Sequence, residues 1–286
     1  MNYIKGDIEN KIIGIYFFIT DFTNFIRSQN LQLHGSKKRG IKAKITDEEI
    51  ATIGIVRCLL GIDCIKSFYT IAYPTLKELF PGLPKYKGFI KALNRTTYLQ
   101  MLILQILLCL SKQNTNSKIF FVDATPYPVC NNKRIFTHKT FKDIAQRGKS
   151  SMGWFYGFKL HIVTDQNKHI LGLKVTSGEV NERKPIKELL NSLKGTAIMD
   201  SAYLSADLAD EFIQKGLHYF ANVRKTMKKL MSKEQHQFLK LRQSIETTYG
   251  LLKQRFALVS TLTRSFLGFI SRICCSFLAY ILNFQT

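Results

Sequence analysis

The chain has 286 residues, of which 45% are hydrophobic and 12% aromatic, so it can form one large core or two modest ones. This composition excludes an intrinsically disordered chain. The net charge of +22 is far from that of an ordinary balanced domain and favours a polyanionic partner, with nucleic acid ahead of an anionic membrane.

The positive charge is concentrated in patches. Residues 33–44, 131–160 and 224–255 together carry eighteen of the twenty-two excess charges. Patches of this kind are typical of proteins that follow a phosphate backbone. The alternative is a soluble protein that is merely basic.

Residues 1–117 show helical patterns and no convincing strand. Thr46, with Glu49 three residues later, predicts a capping box at the start of a helix that ends at Gly61. A second helix is predicted over 89–110. The polar segment 111–118 then predicts a domain boundary.

The most apolar segment is 266–284, near the end of the chain. Arg272 lies near its middle, where a charge is costly in a membrane, so we expect a packed terminal helix and no membrane partner. The six cysteines lack zinc-site spacing, which indicates reduced thiols in a cytosolic protein.

From residue 119 onward strands and helices alternate, which predicts a mixed α/β domain. The predicted strands and helices are, in turn, strands 119–123, 155–164 and 169–176, helix 184–193, strand 195–200, helix 205–215, strand 218–223 and a helical region over 234–256.

Two of the predicted strands end in a carboxylate. Asp123 follows a buried apolar run, and Pro126 and Pro128 predict that the strand cannot continue. Asp200 follows a second apolar run. A buried charge needs a partner, so each carboxylate is either a structural acceptor or a ligand. If the two strands are neighbours, both carboxylates lie at one edge of the sheet and can hold Mg²⁺.

A third acidic residue lies in the predicted helix 241–256. Arg242, Glu246, Tyr249 and Lys253 are spaced to share one face of this helix, which places one carboxylate among cations. A solvated stripe of salt bridges is the alternative on spacing alone. His161 fits the core face of its strand.

Five motifs occur in order: "FVDATPYPVCNNKRI", "YGFKLH", "SGEVNERKP", "MDSAYLS" and the spacing of Arg242, Glu246 and Lys253. Together they resemble a bacterial insertion-sequence transposase of the DDE type, most similar to the insertion sequence nine-eighty-two family. The resemblance runs from about Thr46 onward and includes "FIKALNR" (89–95). Asn181 and Glu182 depart from it, since related proteins commonly have two aspartates there.

The resemblance implies an RNase H-like catalytic domain over 118–286, after an all-helical DNA-binding and end-recognition region over 1–117. It implies Asp123 on the first strand, Asp200 after the fourth and Glu246 on a later helix as the catalytic residues and metal ligands. Two Mg²⁺ ions, with Mn²⁺ as a substitute, would activate the nucleophile and neutralise the leaving oxygen.

Several basic residues are expected to contact DNA. Arg242 and Lys253 would hold phosphates beside the metal ions, and Lys159 is a weaker candidate for the same task. In the N-terminal region, Lys37, Lys38 and Arg39 would bind the backbone.

The resemblance also implies partners and location. The DNA would be the element's terminal inverted repeats and the target duplex, bound by a homodimer or a higher assembly. The protein would be cytoplasmic and associated with the nucleoid of a bacterium. A non-catalytic DNA-binding relic or repressor and an RNase H-like nuclease without strand transfer remain as alternatives.

Overall fold

The computed structural model describes residues 2–29, 43–221, 240–259 and 263–284. Its contacts divide the chain into two compact units. The helical unit comprises Met1–Ile106, Leu252–Val259 and Thr263–Thr286. The sheet unit comprises Leu107–Leu251 and Ser260–Leu262.

Helices occupy the first part of the described chain, and strands and helices share the part after residue 118. The α-helices are α1 (Asn2–Ser28), α2 (Asp47–Leu59), α3 (Ile65–Leu79), α4 (Tyr86–Arg95), α5 (Thr97–Asn114), α6 (Ile186–Leu190), α7 (Ala206–Gln214), α8 (Gln243–Gln254) and α9 (Phe266–Phe284). The strands are β1 (Ile119–Cys130), β2 (Gln146–Ser150), β3 (Gly153–Asp165), β4 (Ile170–Ser177), β5 (Gly195–Met199) and β6 (Leu217–Ala221). Two 3₁₀ helices cover Asn132–Thr137 and Ser201–Tyr203.

Helix α2 forms the centre of the helical unit and packs against α1, α4 and α9. The predicted capping box is confirmed, because the Thr46 hydroxyl accepts from the Glu49 amide while the Glu49 carboxylate accepts from the Thr46 amide. The prediction of one helix over 89–110 is wrong. The chain bends by 45° between α4 and α5, where the Thr96 hydroxyl bonds to the Leu93 carbonyl oxygen.

The C-terminal helix α9 belongs to the helical unit, whereas the predicted boundary at 117/118 grouped it with the strands. Among the described residues it is the single helix with the length and hydropathy of a membrane span, and the bent pair α4–α5 passes the same test jointly. As expected for a packed helix, most of α9 is buried, including Arg272, which donates a hydrogen bond to the Asp63 carbonyl oxygen. The polar segment 111–118 also differs from the prediction, because α5 continues to Asn114.

The sheet unit has a mixed sheet with the strand order β2-β3-β1-β5-β6, and β4 pairs with β3 beside β2. The pairs β1–β3, β2–β3 and β3–β4 are antiparallel, and the pairs β1–β5 and β5–β6 are parallel. Helices α6 and α7 cover one face through a core that includes Phe120, Val122, Ile186, Leu208 and Phe212. The predicted mixed α/β class is therefore confirmed.

Strand β1 is longer than the sequence predicted. Pro126 and Pro128 lie inside it and pair with Lys159 and Gly157 of β3. The prediction that the strand ends at the prolines fails because β5 pairs with β1 over Ile119–Phe121 alone among the described residues, so the proline stretch has the character of an edge strand.

Two further strand predictions need correction. Strand β2 was not predicted, because its sequence QRGKS has no apolar alternation. Since β2 adds one strand before β5, Asp200 follows the fifth strand rather than the predicted fourth. Strand β3 does not alternate between buried and exposed residues: Phe155 to Asp165 are all buried, and β1 and β4 pair with its two edges.

Candidate active site

The two strand-end aspartates lie beside each other. In the parallel pair of β1 and β5, Phe121 is opposite Ile198, and Asp123 and Asp200 each lie two residues beyond that last pair. Both strands are buried here, with Val122 and Met199 fully inaccessible to solvent. The predicted proximity of Asp123 and Asp200 is therefore observed, although Asp123 lies within β1 rather than at its end.

One guanidinium group lies between the two carboxylates. Arg242 Nη2 is 3.3 Å from Asp123 Oδ1, and Arg242 Nη1 is 3.8 Å from Asp200 Oδ1. The Arg242 side chain is 17% exposed, so water screens these contacts only partly. Arg242 is not on the face of α8 as predicted, because the helix begins at Gln243 and the Arg242 carbonyl accepts from the Ile245 amide at its first turn.

Burial dominates the electrostatics of Asp123. It raises the pKa of the carboxyl group to about 6, against the opposing effects of the Arg242 charge and of a hydrogen bond from the Ala124 amide. The nearby carboxylates of Asp200 and Glu182 raise the pKa further. Additional positive charge against Asp123 would therefore stabilise its ionised form.

Helix α8 is fixed to the sheet by Tyr249. The Tyr249 side chain is buried, and its hydroxyl lies 2.7 Å from the Leu160 carbonyl oxygen and 3.0 Å from the Asp123 carbonyl oxygen. Tyr249 thus joins α8 to β3 and to β1 at the level of Asp123. It does not belong to a solvated stripe, whereas Glu246 on the same helix is exposed.

Within the described ranges, no three Asp, Glu, His or Cys side chains converge as a preformed metal site. The structure brings Asp123 and Asp200 together, and it places Glu246 at the start of α8, one turn before Tyr249. The donor chemistry of the aspartate pair fits a divalent cation, because carboxylate oxygens are hard ligands. Burial disfavours the ionised form of Asp123, and a bound cation would offset this effect.

A further acidic residue, Glu182, lies near the aspartate pair and was not predicted as a site residue. Its carboxylate is close enough to raise the pKa of Asp123, and its Oε1 is 3.2 Å from Lys159 Nζ. Lys159 Nζ also donates to the Val180 carbonyl oxygen at 3.2 Å. The sequence signal was the motif "SGEVNERKP", but a loop residue has no strand or helix periodicity that would point it toward Asp123.

Tyr203 adds a buried hydroxyl to this region. It belongs to the 3₁₀ helix that begins immediately after Asp200, and its side chain is 1% exposed. Burial raises the pKa of Tyr203 well above its ordinary value, and the negative charges of Glu182 and Asp123 add to this effect. The hydroxyl therefore stays protonated and can serve as a hydrogen-bond donor beside the carboxylates.

The two described lysines that were predicted to contact DNA differ in their exposure to solvent. Lys159 is 8% exposed and engaged by Val180 and Glu182, whereas Lys253 is exposed on the last turn of α8. Lys37, Lys38 and Arg39 lie outside the described residues.

His161 lies on β3 near the site and is fully buried, with Nε2 2.9 Å from the Thr176 hydroxyl. Its core position agrees with the prediction. Burial lowers the pKa of His161 to about 4, and the Lys159 charge contributes. Because the unfolded chain has a histidine pKa of about 6.5, it binds more protons than the folded chain between pH 6.5 and pH 4.

Folding stability should therefore fall as the pH drops through this window. The His161 contribution to the loss is about 2 kcal/mol between pH 7 and pH 5. Urea unfolding at both pH values measures it: the loss should be smaller by that amount in His161→Asn and unchanged in the control His218→Asn, which alters an exposed histidine. An equal pH dependence in wild type and His161→Asn would contradict this assignment.

Asp123 on β1 and Asp200 directly after the neighbouring parallel strand β5 have side chains that are 20% and 44% exposed, with the Arg242 guanidinium between them. Carboxylates that are reachable from solvent beside a fixed cation suit metal-dependent phosphate chemistry. The chain matches the family model described as "Transposase DDE domain" over residues 113–266. It therefore belongs to the DDE transposase domain family. No curated protein matches the chain.

The chain is similar to three solved transposase structures, of which one shares its fold over most of the chain. The piggyBac transposase, in a synaptic complex with hairpin DNA, has a TM-score of 0.51 at 12% sequence identity. The aligned region covers 94% of this chain and 72% of the piggyBac chain. The Mos1 strand transfer complex has a TM-score of 0.26 at 12% identity, with 84% and 85% covered. The Mos1 paired-end complex with the left transposon end has a TM-score of 0.25 at 12% identity, with 92% and 83% covered.

Proposed function

We propose that the chain is an insertion-sequence transposase that binds the ends of its element and catalyses metal-dependent DNA cleavage and strand transfer. One observation carries the proposal: within a DDE transposase domain, Asp123 on β1 and Asp200 directly after the adjacent parallel strand β5 lie side by side, with the Arg242 guanidinium between them. The strand order β4-β3-β1-β5-β6 supports an RNase H-like catalytic fold.

The cofactor would be Mg²⁺, in a two-ion arrangement for which Mn²⁺ could substitute. DDE transposase domains generally use divalent metal ions. Asp123 and Asp200 would hold the ions together with Glu246. When bound, the metal ions promote deprotonation of the attacking water or 3′-hydroxyl and neutralise charge on the leaving oxygen.

The remaining site residues would position DNA and carboxylates. Arg242 presents a planar, two-pronged donor that can hold a phosphate of the scissile strand while staying near Asp123 and Asp200. Tyr249 fixes the start of α8, and so the position of Glu246, against the β1 and β3 backbones. Lys159 would orient Glu182 at the edge of the site rather than contact DNA.

The finer assignments follow from the sequence resemblance. We place the chain in the insertion sequence nine-eighty-two family, with a helical region over about 1–117 that recognises the terminal inverted repeats. Lys37, Lys38, Arg39 and Lys253 would bind phosphates. A homodimer or higher assembly would bring two ends together, in the cytoplasm of a bacterium.

A single assay tests the function. The protein is incubated with Mg²⁺, a labelled duplex that carries one inverted-repeat end of its element, and a supercoiled target plasmid. We expect cleavage at the end followed by joining of its 3′-hydroxyl to the plasmid. Cleavage without joining would identify a nuclease, and binding without cleavage would identify a non-catalytic DNA-binding protein; either result would overturn the proposal.

A further inference from the structure

The hairpin formed by β2 and the start of β3 carries the single tryptophan of the chain. Trp154 is 63% exposed, and Met152 in the turn beside it is 93% exposed. Large apolar side chains left in water are informative when they lie together, because they mark surfaces that a partner covers.

The neighbours of Trp154 are cationic. Lys149 is directly opposite Trp154 in the ladder, and Arg147 is opposite Tyr156, so these side chains share one face of the hairpin. Lys149 Nζ lies 5.8 Å from the centroid of the Trp154 ring, within the range of a cation–π contact. Asp143 is the one acidic residue between 131 and 160, a stretch with seven basic residues. The charge of this surface therefore complements a polyanion.

The hairpin is held in place rather than loosely attached. On its other face Phe155 is buried, and any side chain at Gly148 would collide with the Gly178 backbone. Asn132 Nδ2 donates to the Trp154 carbonyl oxygen at 2.7 Å, which ties the neighbouring 3₁₀ helix to the hairpin. That helix presents Phe136, which is 92% exposed. The aromatic rings are thus offered to solvent on a supported backbone.

We propose that the β2–β3 hairpin binds an unpaired DNA base, which stacks on Trp154 while Arg147 and Lys149 contact the phosphates beside it. Stacking requires an open base face, and in an intact duplex neighbouring base pairs cover both faces of each base. The proposal rests on the proposed function, because DNA cutting and joining creates ends and junctions where bases become unpaired.

The single tryptophan makes the test direct, since fluorescence excited at its red edge reports on Trp154 alone. The full chain is titrated with a mixed-sequence single strand, with a blunt duplex of the same length, and with that duplex carrying unpaired ends. We expect quenching by the single strand and by the unpaired ends, little quenching by the blunt duplex, and weaker binding as salt is raised.

Variants assign the contacts, with binding followed by anisotropy of labelled DNA. Trp154→Ala should weaken single-strand binding about fivefold to a hundredfold, and Trp154→Phe should restore much of it. Lys149→Gln should weaken binding and reduce its salt dependence. Ile213→Ala, which truncates an exposed apolar residue on α7, is the matched control and should bind like wild type.

Three outcomes would overturn the proposal. DNA binding with no change in Trp154 fluorescence would place the contact elsewhere, and equal quenching by the blunt duplex would remove the requirement for an unpaired base. A fluorescence change that depends on protein concentration without DNA, together with loss of self-association in Trp154→Ala, would assign the surface to a second copy. Quenching by unpaired ends in a chain that never cleaves DNA would reject the proposed function but leave the hairpin site standing.

Discussion

Asp123→Asn and Asp200→Asn are each expected to lower single-turnover cleavage of an end-containing duplex by at least about a thousandfold. If the two carboxylates hold metal ions as proposed, each change would remove the negative charge of a ligand while keeping the shape of the side chain, and that charge would supply several kcal/mol of transition-state stabilisation. End binding, measured by anisotropy, should not weaken, because an ionised carboxylate repels phosphate and so contributes no attraction to the DNA backbone. The control is Asp210→Asn, which neutralises an exposed acid on α7 and should cleave normally.

The same assay determines which acidic residue acts with Asp123 and Asp200. Glu246→Gln should match the aspartate variants, whereas Glu188→Gln, whose side chain is 68% exposed, should be silent. Loss of cleavage in Glu182→Gln with normal rates in Glu246→Gln would transfer the role to Glu182, the other acidic residue near the pair. Wild-type rates in Asp123→Asn or Asp200→Asn would reject the site altogether.

Arg242→Lys is expected to slow cleavage about a hundredfold, because one ammonium group cannot reproduce a two-pronged phosphate contact and the strand would shift by about an ångström. The rate should fall far more than the melting temperature does. If Arg242 merely pairs with Asp123 and Asp200, positive charge is retained in Arg242→Lys and cleavage stays near normal.

Two companion variants complete this experiment. Lys253→Gln should slow cleavage to a comparable extent if the Lys253 side chain also binds the scissile strand. If Lys253 belongs to a surface ion pair, the change should leave cleavage near normal and lower the free energy of unfolding by about 0.3–0.5 kcal/mol. Arg95→Lys is the control for a surface contact, because Arg95 is paired with Asp47 at 2.6 Å in the helical unit. Equal effects of Arg242→Lys and Arg95→Lys on cleavage would return Arg242 to a structural role.

The sequence predicted the parts of the site that depend on strand order. Apolar runs that end in Asp123 and Asp200 identified two buried strands, and the structure pairs these strands in parallel at matching levels. The capping box at Thr46 and Glu49 was equally predictable, because both groups lie within one turn of the chain. Local chemistry and burial therefore suffice to predict a feature when its contacts join residues close in sequence or follow from the geometry of a sheet.

Other features depended on long-range contacts. Arg242 reaches across 119 residues to Asp123, and no periodicity in its own segment predicts this contact. Glu182 lies in a loop, and β2 is built from polar residues that become a strand through pairing with β3. Pro126 and Pro128 are tolerated because, in the described part of the chain, β5 pairs with β1 only over Ile119–Phe121, so the proline stretch has an unpaired edge. That pairing is a property of the folded sheet and cannot be seen in the local sequence.

The packing of α9 on α2 has a consequence for how the protein is made. The helical unit takes segments from both ends of the described chain, so it cannot complete its core until α9 has left the ribosome. By then the residues of the sheet unit have all been synthesised. A chain that ends between Glu246 and Phe266 would carry Asp123, Asp200 and Glu246 but would leave uncovered the surface of α2 against which α9 packs, and exposed apolar surface of this kind favours aggregation and proteolysis.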